Sequence, residues 1–315
     1  MRALVFTGAG GPEVMRLEER PDPVPGTGEV LVEQRFGGLN PADLLQRAGH
    51  YPAPAGWPPD IPGLDVAGRV VSVGDKVTGF SPGDRVFGLA GGGGLADRVC
   101  VPARHLAAVP DALDDEQAAA APEAFITAHD AVIVQCGLRA GETLLVNGAS
   151  GGVGTAAVQL GIACGAHVIA TVRNDAAREW LRAVGAEPLG LADARGRADV
   201  VLELVGAPNM NANLDAAALR GRIVVVGTGA GEEFEMSLRK LMGKRLRMVG
   251  TVLRARPFEE KAEAVQAFAR QVVPLLAGGR VAPLVDRSFP AEEAAAAFDY
   301  LAAPGKLGKV LLRFS

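Results

Sequence analysis

The stretch Thr143-Leu-Leu-Val-Asn-Gly-Ala-Ser-Gly-Gly-Val-Gly-Thr-Ala-Ala-Val-Gln-Leu-Gly constrains the fold of this chain more than any other. A short apolar strand, 144–147, enters a glycine-rich turn. The turn opens a helix that keeps Val153, Ala157, Leu160 and Cys164 on one face. A second apolar strand, 167–172, follows. This is a βαβ unit with its glycines at the first crossover, where a dinucleotide pyrophosphate would sit against the free N–H groups and positive end of the helix. Gly148, Gly151 and Gly154 follow G-x-x-G-x-x-G rather than G-x-G-x-x-G. Glycines alone also serve ordinary turns; the flanking strands and helix supply the context a nucleotide turn requires. Asn147, Gly148, Ala149, Ser150, Gly151, Gly152 and Val153 are therefore expected at the cofactor.

From about residue 114 onward, alanine-rich helical stretches alternate with short apolar strands at 168–172, 200–204, 223–226 and 248–252. That alternation implies a doubly wound parallel sheet. The first hundred residues read differently. Strands at 3–7, 30–36, 66–73, 84–88 and 96–101 are separated by Gly and Pro clusters. Asn40 is placed to cap a short helix that Pro41 starts. Gly91–Gly94 reads as a mobile surface loop that could also border a site. The tail predicts a helix over 258–277, a strand near 284–289, a helix over 291–302 and a final strand over 309–314.

A length of 315 residues suits two domains. No hydrophobic run is long enough to cross a bilayer, and the N-terminus starts as a strand with no secretory segment. The net charge of −4, without a basic run, suggests no nucleic-acid surface. Cys100, Cys136 and Cys164 are too scattered for a disulfide framework, so a reducing cytoplasm is expected. His50, His105, His129 and His167 show no metal-ligand spacing.

Several motifs together resemble one family: Gly38-Leu-Asn-Pro-Ala-Asp-Leu, Pro62-Gly-Leu-Asp-Val-Ala-Gly, Pro82-Gly-Asp-Arg-Val-Phe, Gly148-Ala-Ser-Gly-Gly-Val-Gly and Gly308-Lys-Val-Leu-Leu. Over essentially its whole length the chain resembles the zinc-independent quinone oxidoreductase branch of the medium-chain dehydrogenases/reductases. Gln46-Arg-Ala-Gly-His-Tyr, Pro122-Glu-Ala-Phe-Ile-Thr-Ala and Gly250-Thr-Val-Leu-Arg-Ala-Arg bring it nearest the p53-inducible subgroup. The resemblance implies a GroES-like catalytic domain, 1–118, completed by 255–315, and a Rossmann domain, 119–254. It puts Asn40 and Leu64 where zinc-dependent relatives carry a cysteine and a histidine, and Glu123 at or near their last ligand. One carboxylate cannot hold zinc alone, so no metal is expected, and an electron-poor acceptor becomes the natural substrate.

The resemblance also implies NADPH. Val172 stands where NAD-specific relatives carry an aspartate, and Arg173 follows it, with Asn174 and Arg178 near enough to join at a 2′-phosphate. Asp175 is expected to cap the next helix. Motif positions assign Asn40, Tyr51 and Thr127 to the reacting centre, beside Asp43. They assign Gly206, Gly227, Thr228, Thr251, Val252, Leu253 and Leu307 to the cofactor, with Lys309 reaching it rather than facing solvent. Asp65 is explained by turn chemistry. No general acid emerges; a reduced quinone can take its proton from water. Two rivals remain: an enoyl thioester or enone reductase, with Arg254 and Arg256 near a carrier's phosphate arm, and a non-catalytic nucleotide- or RNA-binding or structural protein. Relatives pair through an edge of the nucleotide sheet, here 223–228 or the segment after it, so a homodimer is expected.

Overall fold

A computed structural model of the chain describes residues 1–314. Its contacts gather into two compact units, Met1–Ile126 with Leu253–Ser315, and Thr127–Val252. Among the described residues, no helix is long and apolar enough to cross a membrane.

In the first unit, β1 (Arg2–Phe6) and β2 (Met15–Glu19) form an antiparallel ladder. The next strands are β3 (Glu29–Glu33), β4 (Phe36–Leu39), β5 (Asp65–Val73), β6 (Arg85–Leu89), β7 (Arg98–Pro102) and β8 (Leu106–Ala108). Five of them make an antiparallel sheet in the order β7-β3-β5-β6-β8. Alternate residues, Val30 and Val32 on β3 and Val99 and Val101 on β7, enter one apolar cluster with Val66, Val70 and Val86. The single strand expected over 30–36 is two strands. Gln34 interrupts it by turning a buried amide onto the carbonyls of Gly94 and Ala96, at 2.7 and 2.6 Å.

The second unit is a six-stranded sheet of Rossmann type. β9 (Thr143–Asn147), β10 (His167–Thr171), β11 (Glu187–Pro188), β12 (Ala198–Glu203), β13 (Ala217–Val225) and β14 (Arg247–Gly250) lie in the order β11-β10-β9-β12-β13-β14. Every pair is parallel. Leu144, Leu145 and Val146 are wholly buried, as a strand covered on both faces requires. The chain winds outward in both directions from β9, so strand order reverses between β9 and β12, where doubly wound sheets bind ligands. Of the two segments considered for the sheet edge, Ile223–Val225 lies inside β13, and β14 forms the edge.

The tail returns to the first unit. The helix expected over 258–277 is two, Phe258–Gln271 and Val273–Ala277, with Pro274 in the first turn of the second. β15 (Val285–Pro290) runs parallel to β16 (Lys309–Arg313), which is antiparallel to β4. Helix Ala294–Ala302 covers this sheet, its Phe298 meeting Phe6 edge-on at 5.9 Å between centroids.

The glycine run 91–94 is buried rather than a mobile surface loop. A Cβ on Gly91 would lie 2.5 Å from the Trp57 indole, and one on Gly94 2.6 Å from the Asp65 carbonyl oxygen. At Gly91 and Gly94 no side chain fits.

Candidate active site

The turn after β9 is built for an anion. Gly148 holds φ +77°, which disfavours a side chain. A Cβ on Gly154 would meet the Gly148 oxygen at 2.4 Å and Ala149 Cα at 2.7 Å. Helix Gly152–Ala163 starts at Gly151 with no side chain capping it, which leaves its first N–H groups for a ligand. These residues fit the pyrophosphate of a dinucleotide.

Beneath that turn lies a cluster that sequence reasoning missed. Glu203, at the end of β12, is completely buried. Its carboxylate accepts hydrogen bonds from Asn147 Nδ2 (2.9 Å), Asn213 Nδ2 (2.6 Å), Asn209 Nδ2 (3.3 Å) and the backbone N–H groups of Val205 (2.6 Å) and Gly206 (2.8 Å). Thr171 Oγ1 donates to Asn147 Oδ1 at 3.0 Å. The ends of β9, β10 and β12 are thus tied at the point where strand order reverses. Gly206, with φ +116°, starts the next helix, where a Cβ would press on Gly231 and Thr228. A Cβ on Gly227 would meet the Leu204 oxygen at 2.5 Å. The available signal was an acid ending an apolar strand just before Val205-Gly206, with asparagines one helical turn on.

Past β10, Asn174 rather than Asp175 caps the following helix, its Oδ1 accepting from Ala177 N at 2.6 Å. Asp175 points fully into solvent, 4.0 Å from Arg178 Nε, and Arg178 also bonds the Val172 carbonyl. A residue in extended conformation is needed at a cap, and Asn174 has it, whereas Asp175 is already helical. Arg173 is exposed and makes no ion pair among the described residues.

Thr251 Oγ1 accepts from Gln135 Nε2 at 2.7 Å, and Val252 is exposed, in the second unit. In the first unit Leu253 is buried, and the Leu307 N–H donates to Asp286 at 3.0 Å. Thr127 is buried.

The other predicted residues of the first unit gather around Asp65. Asn40 is the cap residue of helix Pro41–Arg47 and forms a capping box with Asp43, whose Oδ2 accepts from the Asn40 N–H at 2.8 Å. The Asn40 amide also gives Nδ2–H to Asp65 Oδ2 at 2.8 Å and accepts from Lys309 Nζ at 2.7 Å. Lys309 donates to Asp65 Oδ2 as well, at 2.8 Å, and Glu123 N–H to Asp65 Oδ1 at 2.8 Å. Asp65 is 1% exposed and Lys309 5%, so turn chemistry does not describe Asp65. Asp43 also accepts from Gly63 N–H at 3.1 Å. Burial pushes its carboxyl up to about 6, against the pull of the bond from Asn40 and of Lys309 and Arg254.

Tyr51 is half-buried, with Arg254 over its ring at 5.1 Å. Burial raises the phenol pKa, Arg254 opposing. Arg254 is 4% exposed and spends its fork on Gly91 O, Tyr51 O and Gln46 Oε1, at 2.8, 2.9 and 2.5 Å. It holds the Tyr51 loop and is not available to a carrier's phosphate arm. A cavity of about 630 Å³ opens beside it, lined by Trp57, His105, Phe258 and Lys261 among others. None of Asn40, Tyr51, Asp65 and Lys309 lines that cavity. Burial lowers the His105 pKa to about 4; its Nε2 pairs with the Phe258 carbonyl at 3.1 Å and its Nδ1 has no partner. Burial also raises the Cys100 and Cys136 thiols to about 11 each.

The sequence model "Alcohol dehydrogenase GroES-like domain" matches residues 26–111, and "Zinc-binding dehydrogenase" matches 152–270. A quinone oxidoreductase of Mus musculus is 33% identical over 329 aligned positions, covering 99% of this chain and 97% of the relative. A quinone oxidoreductase crystal structure from Pseudomonas syringae superposes with a TM-score of 0.87 at 28% identity, covering 99% of each chain. A mycobacterial protein solved in complex with NADPH superposes with a TM-score of 0.88 at 28% identity, covering all of both chains.

Proposed function

Because the chain belongs to the quinone oxidoreductase family of the medium-chain dehydrogenases/reductases, we propose that it reduces a quinone-like acceptor with hydride from NADPH, without zinc. The observation that carries this reading is the uncapped glycine turn Gly148–Gly154, whose backbone lies too close for a side chain. When bound there, the nicotinamide cofactor supplies the hydride. Gly148–Val153 hold the pyrophosphate, and Arg173 takes the 2′-phosphate through its planar fork. The NADPH found with a structural neighbour supports that choice. Arg254 fixes the loop that carries Tyr51, and the raised phenol pKa keeps the hydroxyl protonated as a donor.

The zinc implied by the name of one matching model does not fit these residues. Leu64 offers no ligand atom and the Asn40 amide is already committed to Lys309 and Asp65. Among the described residues, no three His, Cys, Asp or Glu side chains come together to hold a metal.

The test is NADPH oxidation by the purified chain with 1,4-benzoquinone or 9,10-phenanthrenequinone, and separately with a 2-enoyl thioester. Quinone turnover is expected. Thioester turnover with no quinone activity would replace this reading with the enoyl reductase, and no cofactor oxidation with any acceptor would point to a binding protein.

A further inference from the structure

Two buried cations, Arg254 and Lys261, line the cavity beside the Tyr51 loop. Every residue that lines it belongs to the first unit. Arg254 donates only to neutral oxygens, those of Gly91, Tyr51 and Gln46. Lys261 gives a single hydrogen bond, to the Arg254 carbonyl at 2.8 Å, and lies over the Trp57 ring at 5.5 Å. Neither is ion-paired with a carboxylate among the described residues. Lys261 stands in the first turn of helix Phe258–Gln271, where the positive end of the helix opposes a cation. Burial lowers the pKa of both groups. Glu29 is the one carboxylate on the cavity wall, and it accepts from the Gly26 N–H at 2.9 Å. Buried charges are normally paired, and here the space beside them is open.

His105, on the same wall, has the opposite need. Its Nε2 meets the Phe258 carbonyl at 3.1 Å. A carbonyl only accepts, so Nε2 carries the proton and Nδ1 presents a bare lone pair. That nitrogen is buried and has no hydrogen-bond partner among the described residues. With its pKa held near 4 by burial and by the charge of Lys261, the ring is neutral at pH 7. Two aromatic side chains complete the wall. Phe258 packs on His105 at 4.7 Å between centroids and is still 46% exposed, and Trp57 is half-buried. The volume of about 630 Å³ falls within the about 300–1,000 Å³ of small-molecule sites.

We infer that this cavity is a binding site for a planar aromatic carboxylate that also carries a hydroxyl. The carboxylate is the counter-ion of Lys261, which has two N–H groups left to give. The hydroxyl donates to His105 Nδ1, and the ring lies against Trp57 and Phe258. Each part of the ligand answers one group of the wall. A neutral ring would leave Lys261 without a counter-ion, and an aliphatic anion would leave the aromatic faces uncovered. One ammonium with free N–H groups suits a single negative charge; a phosphate dianion would call for a second cation, and the Arg254 fork is already spent. The assignment holds whether or not the chain reduces quinones.

The experiment reads the cavity wall directly. Trp57 and Trp180 are the only tryptophans, and Trp180 lies in the second unit. In the full chain carrying Trp180→Phe, indole emission therefore reports Trp57 alone. 4-Hydroxybenzoate is expected to change that emission saturably. It should bind at least about tenfold more tightly than 4-hydroxybenzyl alcohol, which lacks the charge. It should bind at least about threefold more tightly than 4-methoxybenzoate, which lacks the donor. Lys261→Met, in the same background, should abolish the first preference and keep the second, and His105→Phe should do the reverse. Circular dichroism checks that each variant folds; where one does not, the three-ligand comparison on the intact cavity decides alone. Equal affinities for the three ligands, or no saturable change at millimolar concentrations, would overturn the proposal. So would a folded Lys261→Met that keeps the charge preference, since the anion would then be held elsewhere.

Discussion

On the proposed reading a single residue, Arg173, sets cofactor choice, and two buried groups shape the acid response. Arg173 stands exposed and unpaired after β10, beside a cap built by its neighbour Asn174. Arg173→Ala is expected to remove about 1.5–3 kcal/mol of NADPH binding, on the order of ten- to a hundredfold in the NADPH/NADH ratio of kcat/KM. An unchanged ratio would move the phosphate contact to Arg178. Asp43 and His105 pull stability in opposite directions. The Asp43 carboxyl is raised to about 6, so its contribution is complete below the unfolded value near 3.8 and is lost as pH rises through 6. His105 is lowered to about 4, so its contribution is complete above the unfolded value near 6.5 and is lost as pH falls through 4. Each spans roughly 3 kcal/mol. In His105→Gln only one remains. Its urea-derived stability relative to wild type should therefore worsen by roughly 3 kcal/mol between pH 4 and 6.5. A difference that does not vary with pH would show that His105 does not titrate there.

Strand ends carry the next level of organisation. Glu203 joins β9, β10 and β12 through asparagine and backbone donors rather than through apolar packing. Glu203→Gln swaps an acceptor for an N–H that faces other N–H groups. It should cost about 2–4 kcal/mol in urea unfolding and weaken NADPH binding more than it lowers kcat at saturation. Equal wild-type and variant stabilities would exclude this role. The elements themselves were largely legible in the sequence. Glycine turns, apolar alternation and the Pro41 helix start are local signals, and β9, β10 and the final strand fall within a residue or two of expectation. The clusters were not legible, because their members meet only in the fold: Lys309 and Asp65 are 244 residues apart. Local reading therefore gave Asp65 a turn and the glycine run 91–94 a mobile loop, while packing made both interior; the Asn40 cap is there as read.

At the scale of the molecule, β14 leaves its outer edge unpaired in the sheet among the described residues. Nearby in the same unit, Leu238, Met242 and Val252 are 61, 73 and 53% exposed. A second copy joining along β14 would hide both the edge and these side chains. Light scattering at micromolar concentration should give a dimer mass for the wild type and a monomer mass for Leu238→Asp/Met242→Asp. A monomeric wild type would exclude the pairing.

The cysteines bear on how a chain that reduces quinones, as proposed, would withstand them. Benzoquinones are Michael acceptors, and their common targets in proteins are thiolates, which they arylate irreversibly. With thiols near 11, Cys100 and Cys136 hold about one part in ten thousand of the reactive form at neutral pH. The partial burial of Cys100 and the full burial of Cys136 thus double as chemical armour. Intact-mass spectra after incubation with excess benzoquinone should show these two thiols unmodified in the folded chain and adducts on both once it is unfolded in urea.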